Sequence, residues 1–362
     1  MGPLKGIKII EMAGLGPAPF AGMLLADMGA EVILVERRAD PNQMRMPDVN
    51  RRGKKSVALN LKDQEDLEIL LQLVEQADVL FEGFRPGVME RLGLGPEVCR
   101  GRNPKLVYAR MTGWGQDGPL AHAAGHDINY ISLTGALDAI GRPGSKPSIP
   151  LNLVGDYGGG ALFLVTGILA ACLEAQRSGE GQVVDVAMTD GSAALMSVFY
   201  SLQAMGFWKG ERGSNWIDSG AHYYEVYETK DGKYISIGPL EAKFYRLLIE
   251  KLELDPALFS SQNDPGKWPA QKKVLEELFI QKDREEWCSL LEGTDICFAP
   301  VLNLMEAPEH PHNKARGTYI KIDGIVQPAP APRFSRTASQ VQSGSPYAGE
   351  HTEEILKQWG IK

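Results

Sequence analysis

The sequence predicts an α/β protein: a large Rossmann-like domain built on a parallel sheet, followed by a smaller α+β domain. Three observations lead there. Short β-branched runs alternate with amphipathic stretches through the early chain, the pattern of βαβ units. Glycine-rich loops follow several of those runs, where open α/β sheets bind their ligands. Beyond residue 210 the pattern changes to a hairpin followed by helices. The expected domains are 1–210 and 211–334, with 335–362 returning to complete the first.

Residues 7–11 form the first expected strand, 20–28 a helix and 31–36 a second strand. The intervening Gly14-Leu15-Gly16-Pro17-Ala18-Pro19 looks like a dinucleotide fingerprint, with Glu36 placed as a ribose-binding acid. Pro19, however, takes the third glycine position, and two prolines remove N–H groups that a pyrophosphate needs. Arg37 and Arg38 leave the second strand, as a phosphate-binding pair or simply a solvated one. Residues 56–62 read as a strand with Lys62 at its exit. The helix at 63–76 then places Leu67, Leu70, Leu71 and Val74 on one face.

A strand at 77–82 opens into Gly83-Phe84-Arg85-Pro86-Gly87 and a short helix carrying Arg91. After the strand at 106–111, a glycine-rich loop leads to His126. Asp156 reads as the N-cap of a helix ending near Gly179, whose N-terminus would keep the carboxylate ionised. The uncharged run 157–173 is shorter than a typical membrane span and reads as a buried helix. A strand at 182–188 and a long apolar helix at 191–208 follow. Strands at 223–229 and 233–238 flank Lys230-Asp231-Gly232, a hairpin signal. Glu241 starts a helix with Phe244, Leu247, Leu248 and Leu252 on its apolar side, and more helix runs to 291. Residues 327–332 read as an extended connector and 349–356 as a terminal helix.

The chain has 362 residues, 43% hydrophobic and 23% charged, with net charge −8. That describes a soluble globular protein and argues against nucleic acid or an anionic membrane as partner, while leaving room for a local basic pocket. Cys99, Cys172, Cys288 and Cys297 have no metal-knuckle spacing and no disulfide framework. With no apolar signal segment at the N-terminus and no peroxisomal tripeptide at Gly360-Ile361-Lys362, a cytoplasmic location is expected.

Gly125-His126-Asp127-Ile128-Asn129-Tyr130 and Gly155-Asp156 offer one imidazole and two carboxylates. Imidazole alone has an ordinary pKa near neutrality, so a histidine between a glycine and an aspartate suits proton transfer. A hydrogen-bonded structural pair and a helix cap are the bland alternatives.

These stretches carry a resemblance. Together with Glu11-Met12-Ala13-Gly14-Leu15-Gly16-Pro17, Leu151-Asn152-Leu153-Val154-Gly155-Asp156, Gly238-Pro239-Leu240-Glu241 with Phe244-Tyr245, and 349–356, they make the chain resemble the α-methylacyl-CoA racemases of the type III CoA-transferase superfamily. The resemblance implies an interlocked homodimer with the active site between the large domain of one chain and the small domain of the other. It places coenzyme A and the acyl group among Arg37, Leu59, Asn60, Leu61, Lys62, Gly83, Phe84, Arg85, Arg91, Gly125, Asp127, Ile128, Asn129 and Tyr130. His126 and Asp156 become the catalytic pair, and Glu241 of the partner chain orients His126.

The implied reaction interconverts (R)- and (S)-2-methylacyl-CoA by two-base α-proton transfer through an enolate. Coenzyme A is part of the substrate, so no further cofactor and no metal are implied. The expected partners are the acyl-CoA thioester and a second copy. The rival within the fold is a type III CoA transferase, in which Asp127 would form a mixed anhydride; a CoA-binding protein without catalysis is a third possibility. Met12, Met111, Met188 and Met196 suit an adaptable acyl lining, though ordinary core is the preferred reading.

Overall fold

The computed structural model describes residues 2–38 and 48–361. The chain divides into two compact units, Met1–Thr134 with Leu151–Met196 and Gly317–Lys362, and Gly135–Pro150 with Ser197–Arg316. The division at 210/211 and 334/335 expected from sequence therefore falls at 196/197 and 316/317, and 135–150 joins the second unit.

In the first unit, β1 (Lys8–Met12), β2 (Glu31–Glu36), β3 (Lys54–Ala58), β4 (Val79–Glu82), β5 (Val107–Thr112) and β6 (Val183–Ala187) form one parallel sheet in the order β3-β2-β1-β4-β5-β6. The order reverses between β1 and β4, so the loops after these strands flank the crevice where doubly wound sheets take ligands. Alternation sends Ile9, Phe81 and Ala109 to one core, and Ile10, Leu80 and Tyr108 to the other. Both faces are covered, which is why the strands read as continuous apolar runs.

β3 begins earlier and ends earlier than the strand expected at 56–62. Lys54 lies inside it, fully buried, with its ammonium 2.6 Å from Glu11 and 2.9 Å from the Pro19 carbonyl. A buried charge survives only when paired, and the pairing lies in tertiary structure. Gly22 is required beside it, because a Cβ there would sit 1.9 Å from Glu11 Oε2. Beyond Leu59, the Asn60 N–H donates to Asp66 (2.6 Å) and Asp63 caps the helix Gln64–Val74, turning the chain out of the sheet.

The helix expected at 191–208 is two helices, Met188–Leu195 and Ser197–Ala204, and the unit boundary falls at the break. Gly191 packs the first of them so closely that a Cβ would meet Gly159 O at 1.8 Å. The helix expected at 157–179 is a π-helical segment, Leu153–Ala161, continuing as the α-helix Leu162–Ser178. It is not the buried helix anticipated. Leu164, Val165, Ile168 and Ala171 enter the core, whereas Leu162, Phe163 and Leu173 are exposed. By length and composition, Leu153–Ser178 is long and apolar enough to cross a membrane, with 39% of its most apolar window buried.

The second unit holds an antiparallel sheet of β7 (Glu225–Glu228), β8 (Tyr234–Ile237) and β9 (Phe298–Val301). Helices Ala242–Lys251, Trp268–Phe279 and Arg284–Leu291 cover it through Leu248, Phe279 and Trp287. The 135–150 arm is tied to this unit by ion pairs Arg142–Glu225 and Arg212–Asp138.

Back in the first unit, β10 (Tyr319–Ile322) and β11 (Ile325–Pro328) form a hairpin, so the connector expected from 327 begins inside a strand. Buried Arg52 holds it, donating to Asp27 (2.6 Å), Gln327 Oε1 (2.8 Å) and the Pro328 carbonyl (2.7 Å). The terminal helix, expected over 349–356, spans Thr352–Gln358 and docks on edge strand β3. His351 N–H donates to Ser56 O (2.9 Å), Ala58 N–H donates to Thr352 Oγ1 (3.0 Å), and Ile355 is buried.

Candidate active site

His126 occupies the N-cap of the short helix Asp127–Ser132, and its backbone N–H donates to Asn129 Oδ1 at 3.0 Å. Tyr130 fixes the entry to that helix. Its hydroxyl donates to the Gly125 carbonyl, and its ring meets Trp114 edge-on at 4.8 Å. This explains two glycines: a Cβ on Gly113 would lie 2.1 Å from the Tyr130 ring, and one on Gly125 2.7 Å from it.

Asp156 arrives within the π-helical segment, whose N-cap is Asn152. It is thus not the cap expected from sequence. Its Oδ2 accepts from Asn152 Nδ2 at 3.3 Å, and its backbone N–H donates to Asp127 Oδ2 at 2.7 Å. Burial raises the Asp156 pKa above the usual carboxylate value, the Asn152 bond opposes this, the Asp127 charge adds to it and His126 again opposes it. The acid form of Asp156 is thus favoured more than in an ordinary exposed carboxyl.

Asp127 is 6% exposed. One oxygen holds the Asp156 N–H; the other is buried without a hydrogen-bond partner among the described residues. Gly155 makes room for it, since a Cβ there would come within 2.6 Å of Asp127 Oδ2.

His126 and Asp156 line one cavity of about 320 Å³, with Gly83, Phe84, Arg85, Gly125, Tyr130, Leu15, Gly16, Met111 and Met188. The Gly14–Gly16 turn serves this cavity: Gly16 adopts φ 74°, and a Cβ there would be 3.6 Å from Asp156 Oδ2. A larger cavity of about 950 Å³ is lined by Arg37, Arg38, Arg51, Leu59, Asn60, Leu61, Lys62, Met12 and 345–348. Leu15 and Phe84 line both, so the two adjoin. Met12, Met111 and Met188 are buried and line these cavities as well.

Arg91, Asp127, Ile128 and Asn129 line neither cavity, although Val88 and Leu92 beside Arg91 line the larger one. Glu241 belongs to the second unit, where it is the exposed N-cap of helix Ala242–Lys251. Arg38, singled out with Arg37 as a possible phosphate-binding pair, lines the larger cavity, whereas sequence reasoning did not select Arg51 or 345–348. The last had a signal: a terminal helix docked on β3 must carry its preceding residues past the end of that strand. Arg51 had none, because its tie to Glu36 (2.9 Å) is made only in the fold.

An imidazole and a carboxyl thus line a cavity at the switch point of a doubly wound sheet, the place where enzymes of this architecture hold their ligands, and Arg37, Arg38, Arg51 and Lys62 line the cavity adjoining it. The chain belongs to CoA-transferase family III, whose model matches residues 4–352. It is 45% identical to the mouse alpha-methylacyl-CoA racemase over 99% of this chain and 93% of that protein, and 43% identical to the human one over 99% and 94%. Among solved structures, a CaiB/BaiF family protein from Brucella suis is similar with a TM-score of 0.85 and 26% identity, covering 99% of each chain.

Proposed function

We propose that this protein is an α-methylacyl-CoA racemase, an isomerase that interconverts (R)- and (S)-2-methylacyl-CoA thioesters. The observation that carries the reading is the contrast between the three acid–base groups. His126 and Asp156 line the smaller cavity, while Asp127 is buried and engaged with the Asp156 backbone. The identity to the mouse and human racemases supports the same reaction.

Coenzyme A occupies the larger cavity, where Arg37, Lys62 and their neighbours offer charge to its phosphates. The thioester passes Leu15 and Phe84 to reach His126 and Asp156. A proton α to a thioester is weakly acidic, so its removal needs a placed base and support for the enolate oxygen. His126 removes the proton from one epimer, and Asp156, protonated, delivers another to the opposite face. The roles exchange in reverse. The raised pKa of Asp156 suits its turn as acid. Backbone N–H groups near Asp127 or at a helix N-terminus hold the enolate oxygen. Arg91, Ile128 and Asn129 complete the surroundings of the ligand. Coenzyme A is part of the substrate, and no other cofactor takes part.

A second copy interlocks with the first and contributes Glu241 to orient His126. The exposed apolar side chains Leu162, Phe163 and Leu173, on a helix whose opposite face enters the core through Leu164, Val165, Ile168 and Ala171, support a covering partner. The four unpaired cysteines suit the reducing cytoplasm,, and lipid metabolism is the process served.

The transferase reading requires Asp127 as nucleophile, and its burial counts against that. The test is to incubate one epimer of a 2-methylacyl-CoA in heavy water with a free carboxylic acid present. Deuterium at the α-carbon with loss of configuration supports the racemase. Movement of CoA to the free acid without α-label would sink it.

A further inference from the structure

We propose that Gln262 is a positioning residue for Glu241, clamping the turn that presents this carboxylate. The proposal rests on the reading that Glu241 serves His126. Glu241 itself is exposed and makes no side-chain capping bond, so its direction is set by the backbone leading to it. That backbone is short and fixed at nearly every polar group. Gly238 N–H donates to Cys297 O (2.9 Å), Leu240 N–H to Gly238 O (2.8 Å), and the Glu241 carbonyl accepts from Phe244 and Tyr245 (both 3.0 Å).

The remaining two carbonyls, of Pro239 and Leu240, both accept from Gln262 Nε2, at 3.1 and 2.8 Å. A side-chain amide has two N–H donors, and here both are spent on the two residues immediately before Glu241. Gln262 is in turn held: Trp268 Nε1 donates to its backbone carbonyl at 2.8 Å, and Tyr223 donates to the adjacent Asn263 at 3.0 Å. Trp268 and Tyr223 are buried in the core of the second unit. The turn before Glu241 is thereby referred to that core through one side chain.

Within the second unit, the Cys297 thiol feels the Glu241 charge. Its pKa is raised first by burial and then by that charge. In the first unit, Asp156 is the group electrostatically coupled to His126.

A carboxylate beside an imidazole raises the pKa of the imidazolium. Weakening the Glu241 presentation should therefore move the acid limb of the kcat/KM profile to lower pH, for the epimer deprotonated by His126. The full-length enzyme is compared with Gln262→Met, Gln262→Leu, Glu241→Gln, the double variant Q262M/E241Q, and Tyr223→Phe. Each Gln262 variant should shift the limb in the same direction as E241Q, lower kcat about tenfold and leave KM for the acyl-CoA unchanged. Q262M should add nothing in the E241Q background. Y223F, which loosens the same loop without touching the two carbonyls, should lower the thermal midpoint and leave the limb in place.

A limb that moves in E241Q but not in either Gln262 variant overturns the clamp while leaving Glu241 in its role. A limb moved equally by Y223F also overturns it, as general loosening. If E241Q leaves the limb unmoved, the Glu241 reading itself fails, and the clamp falls with it.

Discussion

Replacing Asp127 separates a positioning group from a nucleophile. Asp127→Ala removes the acceptor of the Asp156 N–H, now 2.7 Å away. Losing a hydrogen bond to a charged group costs about 1.5–3 kcal/mol, and a displacement of about 1 Å at the reacting groups costs about a hundredfold in rate. D127A should therefore slow α-deuterium exchange about a hundredfold. Asp127→Asn retains a carbonyl oxygen that accepts the same N–H, but drops the charge that helps raise the Asp156 pKa. Its exchange should fall about tenfold, since a neutral hydrogen bond is roughly half as strong as a charged one. Gly155→Ala attacks the contact from the other side, because its Cβ would lie 2.6 Å from Asp127 Oδ2, and should resemble D127A. Exchange is read by mass spectrometry of the acyl-CoA, with CoA transfer to a free acid followed in parallel. If D127N abolishes turnover as completely as D127A, and wild type transfers CoA to the acid, the positioning argument is refuted.

Gly113→Ala should lower the unfolding free energy by about 1–3 kcal/mol, the usual cost of overpacking, because the new methyl meets the Tyr130 ring. Combining it with Tyr130→Leu should give less than the sum of the two losses in chemical denaturation; simple additivity would contradict the contact. Burial of His222, fully enclosed and bonded to Tyr245, pushes its pKa down to about 3 from 6.5. A depressed pKa means that the unfolded chain binds the proton first. The stability is thus fully present above about pH 6.5 and is lost as pH falls toward 3, with a slope approaching 1.4 kcal/mol per pH unit. His222→Phe should remove that slope from urea titrations at pH 4 to 6, and an unchanged slope would place the proton uptake elsewhere.

The legible parts of this chain are those governed by local pattern. Strands β1, β2, β4 and β5 are apolar runs in a sheet covered on both faces, and they stand close to their expected positions. Where a distant residue decides, sequence was silent. Lys54 reads as loop until Glu11, from another strand, is seen beside it. Asp156 reads as a helix cap because aspartate before an apolar run usually is one; in the fold it lies inside a π-helical segment with its N–H on Asp127. The break at Met196 has no proline, only Ser197 as a capping-type residue, and coincides with the passage between units. At the site, the motif residues around His126 could be read from their chemistry, but the glycines at 113, 125 and 155 acquire their reasons only from Tyr130 and Asp127.

The two-base scheme is tested most directly by following α-deuterium uptake separately from each pure epimer of a 2-methylacyl-CoA in heavy water, using His126→Ala and Asp156→Asn. Each variant should lose exchange most severely from the epimer whose proton its missing base removes, so that the two variants show opposite preferences. Equal and mild loss from both epimers in both variants would contradict a proton passed between His126 on one face and Asp156 on the other.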